Sequence, residues 1–490
     1  MRIDNLIKCL PSPVVTNRTA NIEVSGITHD SRAVTKDTLF IAMRGLVSDG
    51  HHYIDQSIKQ GAVAVVFDRD DILIPDHVLG ICVADSREAL PLLAAEFYAH
   101  PEEKLRLIGI TGTNGKTTSN YFLQHLLNEC QIPTGRIGTT GAAFHAQEID
   151  LVHTTPEAND LFYILSTFEK AGAETVTLEV SSHALAQKRV DGLHFSAAIF
   201  SNLTQDHLDY HANFDEYLKA KQLLFLGLGN DSLAVINTDD PRSEKIVEGC
   251  QARIIRYGTH ALADYRLLEQ TAIDSGLELR IKTPSDTITI RTNTIGTFNM
   301  YNLLSAFATA RELGCDLQLL RKATTTLPSV PGRLEMMSNS APFKVFVDYA
   351  HTPDAVETVL QTLSEAFPAS KLISVFGCGG DRDKGKRPIM GEIATRLANF
   401  SIITDDNPRT EDSLSIINAI AVGCEDRKNF KIIQDRSSAV LDALQAAGDG
   451  DVVAILGKGH EPYQEIMGER LPYSDMNIVN QFMEQHGYSA

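Results

Sequence analysis

The sequence predicts an α/β protein of three domains, each a largely parallel sheet with helices on its faces. Three observations carry that expectation. A buried-strand pattern, a glycine turn and a helix follow one another at residues 107–127, LIGITGTNGKTTSNYFLQHLL. Apolar strand-like runs alternate with helical periodicities along most of the chain, as the crossover connections of a parallel sheet require. A chain of 490 residues has room for roughly three domains of about 150 residues each.

Residues 1–98 read as a small α/β domain. Its β-like runs are LFIAM (39–43), AVAVVF (62–67) and GICVA (80–84), separated by polar turns such as Ser48-Asp49-Gly50. The stretch 57–60 followed by Gly61 reads as a helix end with a glycine stop. A helix over 86–100 carries Leu90, Leu92, Leu93, Ala94 and Phe97, with Pro101 behind it. ThrHisAspSerArg (28–32) gathers a hydroxyl, a carboxylate and a guanidinium just before a strand, where a solvated turn is the ordinary reading.

Residues 99–330 form the central domain. Leu107, Ile108 and Ile110 make the apolar strand, Gly109, Gly112 and Gly115 punctuate the loop, and Lys116, Thr117 and Thr118 open the helix. Leu123, Leu126, Leu127 and Cys130 then recur at i, i+3, i+4 and i+7, one helix face. Backbone N–H groups and the helix dipole converge at such a turn, and a lysine adds full charge, so the segment is an anion site. It departs from the common phosphate-loop spelling because Ile110 stands where the first glycine belongs. The alternation continues with a helix over 117–130, a β-like segment near 135–140, a helix over 157–172 and the strand TVTLEV (175–180).

Ligands of open α/β sheets gather beyond the carboxyl ends of the strands. Three polar clusters fall there: HisThrThrProGlu (153–157), with Thr155 placed to cap a helix; GluValSerSerHis (179–183); and SerAsnLeuThrGlnAspHisLeuAspTyrHis (201–211). Nucleotide phosphates call for Mg2+, which takes oxygen ligands. Glu179, ending a strand beside the phosphate-loop strand, is the best carboxylate for it, and Thr117 offers a hydroxyl. His207 is a candidate second-metal ligand, although imidazole is an uncommon magnesium partner. Asn299 and Asn302 open a helix in 296–310, where capping and contact with a base or phosphate both stand open.

Residues 331–490 repeat the architecture. ProGlyArgLeuGlu (331–335) reads as a linker. The apolar runs 344–350, 371–377, 400–406 and 451–457 each enter a charged or glycine-rich loop: HisThrProAsp (351–354), CysGlyGlyAspArgAspLysGlyLysArgPro (378–388), AsnProArgThrGluAsp (407–412) and LysGlyHisGluProTyr (458–463). Arg382, Arg387, Arg409 and Lys458, set beside Asp406 and Glu461, suit a zwitterionic ligand, because guanidinium grips carboxylate and carboxylate grips ammonium.

A net charge of −19 repels nucleic acid and anionic membranes, so neither is an expected partner and any phosphorylated ligand needs local cations. The 7 cysteines are scattered with no CxxC, which argues against a disulfide framework or a zinc site and for a reducing cytoplasm. Met1–Leu10 lacks the long apolar core of a signal peptide and no run approaches 18 apolar residues, so a monomeric cytoplasmic enzyme is the expectation.

TGTNGKTT (111–118), EVSSH (179–183), SNLTQDHLDYH (201–211), GTFNMYN (296–302), PGRLE (331–335), DYAHTPD (348–354), GCGGDRDKGKRP (377–388), DNPRTED (406–412) and GKGHE (457–461) together resemble the motifs of the Mur ligase family, in family order through nearly the whole chain. The resemblance implies a UDP-precursor-binding N-terminal domain, a central ATP-binding domain and a C-terminal Rossmann-like domain. It also implies ATP- and Mg2+-dependent amide formation through an acyl phosphate. Gly112, Thr113, Asn114, Gly115, Lys116, Thr117 and Thr118 would then hold the ATP phosphates, with Asn299, Arg333, Asp348 and His351 as further nucleotide contacts. Glu179 and His207 would hold Mg2+. Lys221, which the bare sequence places on a surface helix, matches the lysine that the family carbamylates into an anionic metal ligand.

On the precursor side, Ser31, Leu46, Val47 and Ser48 resemble UDP contacts, and Thr154, Thr155, Ser181, Gln187 and Arg189 resemble muramyl-peptide contacts. His153 departs from the family's asparagine. Asp406-Asn407-Pro408-Arg409 resembles the signature of members that add meso-diaminopimelate to UDP-N-acetylmuramoyl-L-alanyl-D-glutamate, with Arg409 on the distal carboxylate. Arg382, Gly457 and Glu461 match the remaining amino-acid contacts. A folylpolyglutamate synthase would share the loop but lack DNPR and the long N-terminal domain. A lysine-adding ligase would differ at Arg409, and a non-catalytic nucleotide-binding module would not need Glu179, Lys221 and DNPR together.

Overall fold

The computed structural model describes residues 1–17, 21–45, 48–204, 210, 213–273, 276–337, 340–424 and 427–488. Leu46, Val47 and His207 lie outside the described residues. Three sheets with helices on their faces follow one another along the chain. The first has 5 strands, with Thr38–Ile41 and Ala62–Phe67 inside and the antiparallel Val14–Thr16 at one edge. ThrHisAspSerArg (28–32) begins on the last residue of the strand Gly26–Thr28, turns into the short helix Ser31–Ala33 and leads to the strand Thr38–Ile41. The expected helix over 86–100 ends at Phe97, because Ala99 and His100 both take left-handed conformations before Pro101.

The second sheet has 11 strands. The phosphate-loop strand Arg106–Thr111 lies between Thr175–Glu179 and Phe195–Phe200, parallel to both, while the next strand in sequence, Thr134–Gly138, sits one place further out. That is a topological switch point, the place where open α/β sheets bind ligands. The helix Lys116–Glu129 buries Phe122, Leu123, Leu126 and Leu127, and packs on Thr297–Glu312. The third sheet has 6 strands in the order Glu335–Met336, Lys344–Asp348, Val452–Leu456, Leu372–Phe376, Phe400–Ile403 and Phe430–Ile432. All of its pairs are parallel except the first, so its charged loops collect at one edge.

A single buried apolar cluster runs from Ile3 to Ala252 through the first sheet and one face of the second. The third sheet has its own clusters, joined to the central unit chiefly through half-buried Ile295 and Phe298. No helix among the described residues is long and apolar enough to cross a membrane.

Candidate active site

The phosphate loop needs its glycines for space as well as for backbone freedom. Gly112 (φ 151°) and Gly115 (φ 85°) occupy conformations open mainly to glycine. A Cβ on Gly112 would stand 1.9 Å from Ser201 Oγ, and one on Gly115 would stand 2.3 Å from Asn302 Oδ1. Lys116 folds back over the loop, its Nζ donating to the carbonyls of Gly112 and Thr113, both at 2.9 Å. Thr113 Oγ1 pairs with the buried Tyr217 hydroxyl at 3.1 Å.

Glu179 ends its strand beside this loop, as its position in the sequence implies. Its Oε2 accepts from Thr117 Oγ1 at 2.9 Å and from Thr139 Oγ1 at 3.1 Å, and its Oε1 accepts from Thr139 N at 3.0 Å. Gly138 makes room for it, since a Cβ there would lie 2.1 Å from Glu179 Oε1. A hydroxyl and a carboxylate in contact at a helix N-terminus are the hard oxygen donors that Mg2+ prefers, so this donor set fits that ion. Sequence reasoning missed Thr139 and Gly138; the only signal was a glycine and a hydroxyl at the end of an apolar run.

Lys221 corrects the surface reading. On the helix Phe214–Leu226 it is 1% exposed, with Nζ donating to Gly112 O at 2.9 Å and lying 4.6 Å from the centre of the Tyr217 ring. The helix turns this face inward because Tyr217, Leu224 and Phe225 are buried with it. Thr155 is a second correction: it caps no helix, and Glu157 stands at the N-cap of Ala158–Lys170. Its Oγ1 donates instead to Glu179 O at 2.8 Å, tying HisThrThrProGlu to the end of the Glu179 strand. Arg189 donates to Thr155 O and to Gln187 Oε1, each at 2.8 Å, and pairs with Glu157 at 2.9 Å. Ser181 caps the helix Ser182–Ala186, and Thr154 Oγ1 meets Thr139 Oγ1 at 3.1 Å.

These groups and a wall of the third unit enclose a cleft of about 570 Å3, which holds the phosphate loop, Thr154, Thr155, Glu179, Ser181, Gln187, Arg189, Lys221, Arg333, Asp348, His351 and Arg382. His153 lines it too, with burial and then Arg189 holding its imidazole below the ordinary histidine value. Arg333 lies over the Tyr349 ring at 4.8 Å, and its Nη2 reaches Thr117 Oγ1 at 3.5 Å across the seam. Its Nε is buried with no hydrogen-bond partner among the described residues. Burial raises the Asp348 carboxyl, against the pull of Arg333 and of the backbone N–H groups of Leu334 and Ala350. His351 Nδ1 lies 2.7 Å from Tyr349 O. Asn299 and Asn302 are turned into the helix start, with Asn299 Nδ2 on Ile295 O and Asn302 Nδ2 on Asn299 Oδ1. Ser31 and Ser48 are not in the cleft lining; Ser48 Oγ donates to the Tyr53 hydroxyl at 3.1 Å.

The block of cations splits. Arg387 is no ligand-facing group: it is 3% exposed and forked onto Glu411, with Nη2 on Oε1 at 2.9 Å and Nη1 on Oε2 at 3.1 Å. Lys458 is fully buried, its Nζ on Asn407 Oδ1 at 2.9 Å and Glu461 Oε2 at 2.8 Å, with Asp406 Oδ1 at 3.7 Å. It is a tether for the 406–409 loop and the 457–461 loop. Arg382 is exposed on the cleft wall. Arg409 is half-buried and not unpaired, for Nη1 donates to Gly380 O at 2.8 Å and Nε lies 3.5 Å from Glu465 Oε2. The loop lies close to 379–380 because a Cβ on Gly380 would meet Pro408 O at 1.9 Å. Gly457 (φ 115°) packs against the Asp406 carboxylate, the contact a Cβ would make at 3.1 Å.

Family models cover the three units in order: the Mur ligase family catalytic domain matches residues 23–98, the Mur ligase middle domain 110–310, and the Mur ligase glutamate ligase domain 332–459. The chain belongs to the Mur ligase family. Among curated members it is similar to the UDP-N-acetylmuramoyl-L-alanyl-D-glutamate–2,6-diaminopimelate ligases of Cytophaga hutchinsonii and Geobacter metallireducens. The first is 41% identical, covering 99% of this chain and 100% of the relative. The second is 40% identical, covering 98% of each. A solved ligase of the same name superposes with a TM-score of 0.66 at 33% identity over 95% of this Mur ligase and 96% of that chain. The fold extends to MurF from Acinetobacter baumannii, with a TM-score of 0.70 at 17% identity over 98% of both chains.

Proposed function

We propose that this Mur ligase is the ATP-dependent enzyme that joins meso-diaminopimelate to UDP-N-acetylmuramoyl-L-alanyl-D-glutamate, an amide-forming step of peptidoglycan precursor synthesis. The observation that carries the reading is the cleft itself. One wall is a phosphate loop with Thr117 on Glu179; the other presents Arg382, which shares the neighbourhood of Gly379 with Arg409. The D-glutamate carboxylate attacks the γ-phosphoryl group of ATP, giving an acyl phosphate and ADP. The amine of diaminopimelate then attacks the carbonyl, and phosphate leaves from the tetrahedral intermediate. Lys116 swings from the Gly112 and Thr113 carbonyls to the phosphates and stabilises the charge of the transition state, while the loop amides orient them. Thr117, Glu179, His207 and a carbamylated Lys221 would hold Mg2+, which would supply neutralisation of phosphate charge.

Thr154, Thr155, Ser181, Gln187 and Arg189 hold the muramyl peptide; Ser31 and the 46–48 stretch hold the UDP end. Asn407, Pro408, Arg409, Asp406, Arg382, Gly457 and Glu461 receive the amino acid. The three units are taken as residues 1–98, 99–330 and 331–490, working as a monomer in the cytoplasm, where ATP and the UDP precursor are found. Selection of diaminopimelate over lysine rests on Arg409, because lysine lacks the distal carboxylate and leaves the guanidinium unmatched. The test is phosphate release with the UDP-dipeptide and ATP, meso-diaminopimelate against L-lysine. Turnover with diaminopimelate at least about 10²-fold above lysine is expected; equal turnover with lysine overturns the assignment.

A further inference from the structure

The hairpin of Tyr463–Ile466 and Glu469–Pro472 is a two-stranded sheet of its own, separate from the six-stranded sheet. An isolated hairpin is marginal in water, so its partner is informative. That partner is the 406–409 loop. Arg409 N donates to Glu465 O at 3.0 Å and Met467 N to Arg409 O at 2.7 Å. Glu465 N donates to Asn407 Oδ1 at 2.8 Å, and Gln464 Nε2 to Asp406 O at 2.7 Å. These bonds hold Arg409 at a φ of 52°, a conformation that a long side chain adopts only when its surroundings impose it.

The same clip sets the side chain. Nη1 of Arg409 is fixed by Gly380 O and Nε faces Glu465 Oε2, while Nη2 has no hydrogen bond among the described residues. The guanidinium is packed against Gly379, where a Cβ would come within 2.8 Å of Nη1. Nε and Nη1 therefore each have a protein partner, and Nη2 is the nitrogen left for an incoming carboxylate oxygen.

We propose that Glu465 is a positioning residue for amino-acid selection: through the hairpin clip and its own carboxylate it holds the guanidinium so that Nη2 of Arg409 is presented to the incoming distal carboxylate. This inference rests on the functional reading given above. Both side chains are partly solvated, at 21% and 26% exposure, so the ion pair is a modest orienting force of up to about 1 kcal/mol, about fivefold in affinity.

The test is a double-mutant cycle on the full chain, with ATP and the UDP-dipeptide saturating and meso-diaminopimelate varied. Glu465→Gln should raise KM for diaminopimelate about fivefold, with kcat within about twofold and KM for ATP unmoved. In an Arg409→Ala background the same change should do nothing further, because the group it positions is gone. An unchanged KM in Glu465→Gln overturns the proposal. So does an undiminished effect in the Arg409→Ala background, the result of a general loosening of the hairpin. A wild-type enzyme with no turnover of diaminopimelate would instead remove the functional reading beneath it.

Discussion

Where the first unit meets the second, the helix Ser86–Phe97 packs on Ala158–Lys170, and Leu90, Leu93, Leu161, Phe162 and Leu165 belong to one buried cluster. Polar ties border it: His29 Nδ1 on Asn159 Oδ1 at 2.7 Å, Arg87 beside Glu157 at 3.6 Å, and Lys188 on Glu88. Where the second unit meets the third, half-buried Ile295 and Phe298 pack on the third unit's cluster, and the other contacts are polar. Asn114 Nδ2 reaches Asp354 Oδ2 at 3.0 Å, Thr204 Oγ1 reaches the same oxygen at 3.4 Å, and Arg333 reaches Thr117. Apolar burial is non-directional and scales with area, so the first seam is a core that happens to cross two sheets. The second seam has little such burial and encloses the cleft. Parting of such a seam costs less than parting the first, since its polar contacts are groups that water can replace at small cost.

That contrast predicts opposite outcomes for the two seams. Lys116→Ala should lower kcat about 10³-fold, a loss of about 4 kcal/mol of transition-state stabilisation, with an unfolding midpoint near that of the wild type. Steady-state phosphate release and thermal unfolding of one preparation check both halves. Phe162→Ala should do the reverse, costing about 4 kcal/mol of stability through a cavity in the shared cluster and leaving kcat of the folded fraction within about threefold. The cluster is continuous, so the first and second units should unfold together in urea while the third keeps its own midpoint. Separate unfolding of the first unit, or a Lys116→Ala variant as destabilised as Phe162→Ala, would break the contrast.

The two seams were also unequally legible in sequence. The phosphate loop could be read from 107–127 because strand, glycines, lysine and helix face are contiguous and each has a local cause. Glu179 could be read because a carboxylate closing an apolar run is rare without a partner. The parallel runs of the third unit predicted which loops would share an edge, and those loops do. What could not be read were contacts between distant positions. Nothing local marks Lys221 as buried, because its inward face is set by Tyr217 meeting Thr113. Nothing in the 463–472 stretch announces a hairpin clipped onto Arg409, and Arg387 looked like a ligand group until Glu411 supplied its partner. Periodicity reports which face of an element is apolar; it does not report which polar side chain another element will meet.

The smallest expected effect probes the polar seam through pH. His460 sits at it, its ring 5.6 Å from the Tyr349 ring, with Nδ1 buried and without a hydrogen-bond partner among the described residues. Burial first, then Arg333, holds its imidazole below the ordinary value; Glu461 and the Thr139 backbone oppose them. When the seam parts, the ring meets water and returns towards about 6.5. A histidine whose closed-state pKa is depressed is neutral in both forms above about pH 6.5, so closure carries no penalty there. As pH falls from that value towards the depressed one, only the open form takes up the proton, and closure weakens by at most about tenfold per pH unit. If ATP binding requires closure of the seam, KM for ATP should therefore rise as pH falls from about 6.5, by no more than that limit. His460→Gln should flatten that rise except for the part due to His153, which is depressed in the same direction by burial and Arg189. The first seam has its own histidine, His29, on Asn159, and its apolar cluster does not titrate, so stability of the shared core over the same range should follow the wild type in His460→Gln. A pH profile of KM unchanged by His460→Gln would mean that the ring stays dry when ligands leave, and that the second seam parts less than its polar make-up implies.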